Sequence, residues 1–297
     1  KGPFDMLYSP PLEEGKKFFN NGPEDFMGNR SFKIGGAILI PYPNRIRGTL
    51  LSDGKSLRTT VLGKPVILPA NWSSAGNTRG EKVSMHGLML NSKMNEIALS
   101  SSDSAASVTG ILQAGDFDGR WTGQSRITTT CTLTARDFSF KVIVENTGNE
   151  TLPAAVGWHP YFEFPSGDRS QARIRIPAQS YVPVNNYDDV FPTGEIASVK
   201  GTKYDFRKRN GIPLSDMFFD DTFTNLKRDA SGNVTIELID PAANYGLRIC
   251  GNSEVDAVQM TDPFNENIWG TNANKGMAVL NPGQSVEYKV RLELFVP

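Results

Sequence analysis

The hydrophobic residues of this chain fall into many short runs, and several runs alternate with polar residues at every second position. In the segment "FSFKVIVEN", which begins at Phe138, the first, third, fifth and seventh letters are apolar. Such alternation is typical of a strand with one buried face, and the Thr, Val and Ile of these runs favour a pleated sheet. Similar runs occur on both sides of this segment, among them "SRITTTCTLTA", "NVTIELID" and "SVEYKVRLELF".

Turn-forming segments separate these runs, among them "NTGNE", "DPAANYG" and "NPGQ". Amphipathic helical periodicity is nearly absent. Many strands joined by short turns predict an all-β protein, a large antiparallel β-sandwich with few short helices. Because no internal repeat or convincing break divides the strand-rich region, we expect residues 31–297 to form one domain. Residues 1–30, rich in Pro, Gly and charge, are expected to be an irregular N-terminal arm.

The charge balance changes the range of partners to be considered. Lysine and arginine total 31 and aspartate and glutamate total 32, so we expect no binding to nucleic acid or to an anionic membrane surface. No apolar run reaches the length of a membrane span. The chain begins at Lys1, so a targeting segment removed from a longer chain is one interpretation. We therefore expect a soluble protein, either cytoplasmic or exported.

The cysteines and the short motifs of the sequence limit the kinds of functional site to be expected. Cys131 and Cys250 each lie in a strand-like run, and we expect two buried thiols, with a single disulfide as the alternative. The sequence has no CxxC and no HxxxH, so we expect no metal site. It also lacks a phosphate-binding loop and a GxSxG nucleophile motif, and no cofactor is expected.

The chain contains two histidines, and their surroundings are alike. His86 lies in "VSMHGLMLN" and His159 lies in "GWHPYFEFP", and a glycine near each ring would let another group approach closely. Trp158 and Tyr161 offer flat apolar faces of the kind that line sugar sites. The alternative is that each histidine is a half-buried imidazole with a structural role.

Two acidic segments are further candidates. "FFDDTFTNL" holds Asp220 and Asp221, which either form a turn or hold a ligand. "DPFNENIWGTNAN" holds Asp262 and Glu266 beside Trp269, and an Asx-rich surface turn is the alternative for this segment.

Taken in order, five segments resemble the aldose 1-epimerase (galactose mutarotase-like) family. "GWHPYFEFP" resembles the family's Gly-x-His-Pro-Tyr-Phe-x-x-Pro segment, and "PYPNRIRG" resembles its Asn-Arg-Ile motif. "MHG" resembles its first His-Gly, "FFDDTF" its Asp-x-x-Phe, and "VLNPGQS" the Leu-x-Pro-Gly turn before the last strand. The resemblance implies the galactose mutarotase-like supersandwich and an isomerase that interconverts the anomers of a free aldohexose.

The resemblance also implies roles for individual residues. His159 would be the general acid, and His86 would hydrogen-bond the hydroxyls or the ring oxygen near the reacting carbon. Arg45 would bind or orient the sugar. Asp220 would grip sugar hydroxyls and is preferred over Asp221, because the Asp-x-x-Phe spacing begins at Asp220.

The family's catalytic glutamate lies on a strand that is shortened in this sequence. Glu266 is the best match for this base and Asp262 is the second choice; with Trp269 they are expected to lie at the sugar site. The same loop would supply the carboxylate that His159 needs, because a nearby negative charge raises the pKa of a histidine whereas burial lowers it.

Two other functions stay open from the sequence. If neither acidic residue reaches the sugar, the protein is a non-catalytic carbohydrate-binding or scaffold protein of the same fold. A glycan hydrolase or lyase is the other alternative; hydrolysis would need two opposed carboxylates across a long cleft, and no convincing pair is evident.

Overall fold

The computed structural model describes residues 6–8, 13, 35–73, 81–90, 92–187, 190–261 and 277–297. Within these residues the chain forms 23 strands, and helical conformation is described at residue 13 alone, so the expected few short helices are not among the described elements. The strands are β1 (Ala37–Leu39), β2 (Arg45–Ile46), β3 (Thr49–Leu50), β4 (Ser56–Val61), β5 (Lys64–Pro69), β6 (Trp72–Ser73), β7 (Lys82–Met85), β8 (Glu96–Ser101), β9 (Ala105–Gly115), β10 (Ser125–Thr134), β11 (Asp137–Asn146), β12 (Leu152–Ala154), β13 (Gly157–His159), β14 (Arg173–Arg175), β15 (Ala178–Val182), β16 (Ala197–Ser198), β17 (Ile212–Pro213), β18 (Asp220–Leu226), β19 (Val234–Asp240), β20 (Tyr245–Gly251), β21 (Val258–Thr261), β22 (Ala278–Leu280) and β23 (Ser285–Phe295).

The largest sheet has nine antiparallel strands in the order β17-β14-β19-β20-β23-β11-β10-β9-β8. Its strands include the most regular alternating segments of the sequence. In β11 the side chains of Phe140, Val142 and Val144 are buried, at the positions where the alternation predicted them. The prediction of an all-β, antiparallel architecture is therefore confirmed.

Smaller sheets pack on the large one and create two main hydrophobic clusters. The four-stranded sheet β16-β15-β18-β21 contributes Phe223 to a cluster that also contains Ile236 and Leu247 of the large sheet. The three-stranded sheet β3-β4-β5 contributes Leu68 to a second cluster, which also contains Val142 of β11 in the large sheet. The large sheet is thus covered by different elements along its length, as in a sandwich.

Strand β13 lies where the two clusters meet. It pairs with β1, and the side chain of Trp158 packs against both clusters. Further short sheets, β2-β7-β6 and β12-β22, complete the described strands. The junction of the two clusters is therefore the place where the histidine-bearing strand is held.

Part of the segment expected to be an irregular arm is paired with this region. Leu7 forms an antiparallel bridge with Phe162, and the N–H of Tyr8 donates to the carbonyl of Tyr161 at 2.9 Å. Met6 is buried in the cluster formed by the four-stranded sheet. Residues 6–8 thus pair with the segment that directly follows the histidine-bearing strand.

The two cysteines lie on strands of the large sheet, Cys131 on β10 and Cys250 on β20. Both are half-buried free thiols, so the disulfide alternative does not hold, and the expected burial is only partial. Among the described residues there is no helix that is long and apolar enough to cross a membrane.

Candidate active site

His159 owes its orientation to the alternation of strand β13. Successive side chains of a strand point to opposite faces. The ring of Trp158 is directed into the core, where it stacks on Phe140 with ring centroids 4.8 Å apart. His159 therefore projects from the opposite face of the strand, where its backbone is paired with Ala37 of β1. The contacts of Trp158 support this strand, and Trp158 also lines the groove that contains His159, so its part in sugar binding stays a prediction.

His86 follows β7 directly and lies in a left-handed turn, with φ of 62°. Gly87, with φ of 84°, lets the carbonyl oxygen of Ile40 approach: a Cβ atom on residue 87 would lie 2.2 Å from that oxygen. The same oxygen accepts a hydrogen bond of 2.7 Å from the N–H of Leu88. The close approach that the glycine permits is thus made by the chain's own backbone.

A reciprocal pair of hydrogen bonds fixes the ring of His86. The backbone N–H of His86 donates to the carbonyl of Asn44 at 2.7 Å, and the backbone N–H of Asn44 donates to Nδ1 of the His86 ring at 3.0 Å. Because Nδ1 acts as an acceptor, a neutral ring carries its proton on Nε2. His86 is thereby a hydrogen-bond donor through Nε2.

The structure brings the two histidines together. Their ring centroids are 5.5 Å apart and the rings are nearly perpendicular, at 82°. Burial lowers the pKa of His86 well below its ordinary value, and the charges of His159 and Arg45 act in the same direction. Burial also lowers the pKa of His159, to about 4. Both rings are therefore neutral at pH 7 in the described structure.

No carboxylate of the described residues offsets the effect of burial on the pKa of His159. The sequence predicted that Asp262 or Glu266 would have this effect. Both residues, and Trp269 with them, lie outside the described residues. The position of the catalytic base thus stays a prediction.

Arg45 is fully buried on β2. Its guanidinium lies 3.9 Å from the centroid of the Trp72 ring, and Nη1 donates to the carbonyl of Val190 at 3.1 Å. Cation–π contact and a hydrogen bond compensate part of the desolvation of this charge. The charge of Arg45 also acts on both His86 and Asp220, so these three groups form one electrostatic cluster.

Asp220 is the first residue of β18 and is fully buried. Burial raises the pKa of its carboxyl to about 8, although Arg45 and a hydrogen bond from Gln259 Nε2 to Oδ1, at 2.9 Å, favour the charged form. Oδ2 is buried and has no hydrogen-bond partner among the described residues. A buried carboxyl oxygen without a protein partner is suited to a ligand hydroxyl.

Asp221, the next residue along the strand, has different contacts. The hydroxyl of Tyr187 lies 3.1 Å from each of its carboxyl oxygens, and that hydroxyl is 3.2 Å from the hydroxyl of Tyr204. The two carboxylates therefore begin a strand instead of forming a turn, and only Asp220 couples to Arg45.

A single concave groove contains the two histidines together with Arg45 and Tyr161. The ring centroid of Tyr161 lies 5.4 Å from that of His159, at an interplanar angle of 68°. The sequence did not single out Asn44, Trp72 or Gln259, and only Asn44 belonged to a quoted motif. The other two could not be recognised, because no local pattern links them to the residues that they contact.

Comparisons with known proteins agree with this architecture. The model of the family described as aldose 1-epimerase matches residues 18–293. No curated protein matches the sequence.

Among solved structures, the chain is similar to a galactose mutarotase-like protein from Clostridium acetobutylicum, with 18% identity, a TM-score of 0.69, and coverage of 98% of this chain and 86% of that one. It is also similar to an aldose epimerase homologue from C. elegans, with 14% identity, a TM-score of 0.62, and coverage of 98% and 87%. A galactose 1-epimerase from Lactobacillus acidophilus gives 15% identity, a TM-score of 0.57, and coverage of 93% and 83%. At these identities the similarity shows the fold, whereas the family match spans most of the sequence. The chain therefore belongs to the aldose 1-epimerase family.

Proposed function

We propose that the protein is an aldose 1-epimerase, which interconverts the α and β anomers of a free aldohexose. The observation that carries the proposal is the pair of imidazole rings 5.5 Å apart in a groove that also contains Arg45. Membership of the family supports the same reaction class. In this proposal residues 31–297 form one sugar-binding domain.

Anomer interconversion needs two proton transfers on one sugar ring. A base removes the proton of the C1 hydroxyl while an acid protonates the ring oxygen, so that the C1–O5 bond breaks and the aldehyde forms. Rotation about the C1–C2 bond presents the other face of the carbonyl, and reclosure reverses both transfers. Each positioned acid or base typically accelerates such a step by roughly 10²–10⁴-fold.

The described residues suit the supporting roles in this scheme. His86 would donate from Nε2 to an oxygen near the reacting carbon, since its Nδ1 is held by Asn44. Asp220 would accept a hydrogen bond from a sugar hydroxyl, or donate one to it, through Oδ2. The buried charge of Arg45 would keep that carboxyl and the sugar in a fixed relative position. These contacts would keep the open-chain aldehyde bound until the ring closes again.

His159 would be the general acid, which requires that it carry a proton at the start of the cycle. Burial lowers its pKa to about 4, so a carboxylate that enters the site has to raise it. We propose that Glu266 is this carboxylate and the base, with Asp262 as the alternative.

A second function is a non-catalytic carbohydrate-binding protein of the same fold. The lowered pKa values of both histidines favour it, because neutral imidazoles donate and accept hydrogen bonds without protonating a ring oxygen.

Polarimetry of freshly dissolved α-glucose and α-galactose separates the two functions. We expect the protein to accelerate the change in optical rotation above the spontaneous rate, and we expect His159→Asn to return it to that rate with an unchanged melting temperature. Glu266→Gln should be as inactive as His159→Asn, whereas Asp262→Asn should keep most of the activity. An unaltered rate in His159→Asn would rule out its role as the acid. Sugar binding without any acceleration by the unmodified protein would favour the binding function.

A further inference from the structure

The N-terminal segment at residues 6–8 lies next to the part of the candidate site that follows His159. Its backbone pairs with the residues that follow His159: the N–H of Glu163 donates to the carbonyl of Met6 at 2.8 Å, and the N–H of Tyr8 donates to that of Tyr161 at 2.9 Å. The segment therefore continues the polypeptide surface on which His159 lies.

The pairing decides which way the side chains point. Residues directly opposite each other in an antiparallel pair share a face. Leu7 and Phe162 form such a pair, and both pack against the core cluster under the four-stranded sheet. Tyr8 and Tyr161 are the next opposed pair, and the centroids of their rings lie 6.4 Å apart in an edge-to-face contact. Both rings line the same groove as His159.

Neighbouring groups hold this aromatic surface in place. The ring of Tyr161 lies against Gly35, where a Cβ atom would be 2.9 Å from Cδ2 of that ring, and φ of Gly35 is 74°. Met6, with 1% of its surface exposed, anchors the N-terminal segment in the core. Tyr8 is half-buried and lines the groove.

We infer that Tyr8 is a specificity-determining residue of the sugar site, an inference that rests on the proposed function. Its ring and that of Tyr161 form one wall of the groove, on which the C–H face of a pyranose ring would pack. The phenol hydroxyl of Tyr8 is both a donor and an acceptor for a sugar hydroxyl. A contact to sugar atoms whose bonds do not change binds the ground state and the transition state equally.

The test is a comparison of the steady-state constants of Tyr8→Ala, Tyr8→Phe and the unmodified chain, with glucose and galactose as substrates. We expect Tyr8→Ala to raise KM about tenfold while kcat stays within about twofold, since uniform binding is lost. Tyr8→Phe keeps the ring and should stay within about threefold of the unmodified KM for at least one of the two sugars. Phe295→Ala removes a half-buried ring outside the groove and should leave KM unchanged.

The dissociation constant of each sugar, measured by calorimetry, provides a second readout that needs no turnover. If the unmodified protein is active and Tyr8→Ala changes neither KM nor the dissociation constant, the inference is overturned and the proposed function stands. A protein that binds sugars without turnover, and loses about tenfold in affinity with Tyr8→Ala, would overturn the epimerase proposal alone. If the unmodified protein neither binds nor turns over either sugar, both are wrong.

Discussion

The two nitrogens of the His86 ring have different hydrogen-bonding roles, and single substitutions can remove one role and keep the other. Asparagine places its amide oxygen near the position of Nδ1, whereas glutamine reaches towards the position of Nε2. Asparagine also tolerates a positive φ, and residue 86 has φ of 62°. We expect His86→Asn to keep the hydrogen bond from the N–H of Asn44 and a melting temperature within a few degrees of the unmodified protein. We also expect kcat/KM to fall by about 100-fold, because the Nε2 donor is lost.

His86→Gln is the matched comparison for this prediction. It loses the acceptor for Asn44 and puts a longer side chain at a positive φ, so it should melt at a lower temperature than His86→Asn. Thermal denaturation followed by circular dichroism, with polarimetry on the same samples, measures both effects. Full activity in His86→Asn would show that the Nε2 proton has no part in the reaction.

At this scale the sequence could name candidates but could not place them. His86, His159, Arg45 and Asp220 lie in short motifs that resemble the family's, and the structure brings their charges and rings close together. Their roles stay predictions. That burial lowers the pKa of a histidine was foreseeable, but the depth of burial of these two rings was not, because residues distant in the sequence cover them.

At the scale of the element, the turn after β7 depends on the absence of a side chain at Gly87. A Cβ atom there would lie 2.2 Å from the carbonyl oxygen of Ile40, and φ of 84° is unfavourable for any residue with a Cβ. We expect Gly87→Ala to destabilise the protein by more than about 3 kcal/mol, as measured by urea denaturation, because backbone has to move.

Gly63, in the turn between β4 and β5, is the control that distinguishes the cost of a positive φ from the cost of the steric clash at Gly87. Its φ is 80°, close to that of Gly87, but a Cβ atom there would have no neighbour within 4 Å. Gly63→Ala should therefore cost only about 1–2 kcal/mol, which is the conformational part alone. Equal losses in the two variants would mean that the approach of Ile40 adds nothing to the cost.

Strands could be predicted where apolar and polar residues alternate, whereas β18 was not recognised as a strand. Strands β11, β19 and β23 follow the runs of Val, Ile and aromatic residues that the sequence displays. β18 begins with two aspartates, and its pattern suggested a turn or a ligand site. Strands that carry polar groups on a buried face lose the alternation, because function and not solvent determines those positions.

At the scale of the whole molecule, the unusual protonation states of the site link folding to pH. Burial lowers the pKa of His159 to about 4, so the folded state binds fewer protons than the unfolded state between about pH 4 and 6.5. His86 acts in the same direction. Their effect is to raise stability with pH, and it is complete by about pH 7. Asp220 has the opposite effect, since burial raises the pKa of its carboxyl to about 8.

Between pH 7 and 8 only the raised carboxyl pKa values of the site still matter among these groups. The folded state keeps much of the proton of Asp220 while the unfolded state has lost it, so stability should fall by about 1 kcal/mol over this range. Urea denaturation at several pH values measures the slope, and Asp220→Asn should reduce it, with any remainder due to the raised pKa of Asp221. Asp53→Asn is the control: the carboxyl of Asp53 has a lowered pKa, so its removal should leave the slope between pH 7 and 8 unchanged. A flat profile in the unmodified protein would mean that Asp220 is ionised in the folded state, and that Arg45 outweighs burial at this carboxyl.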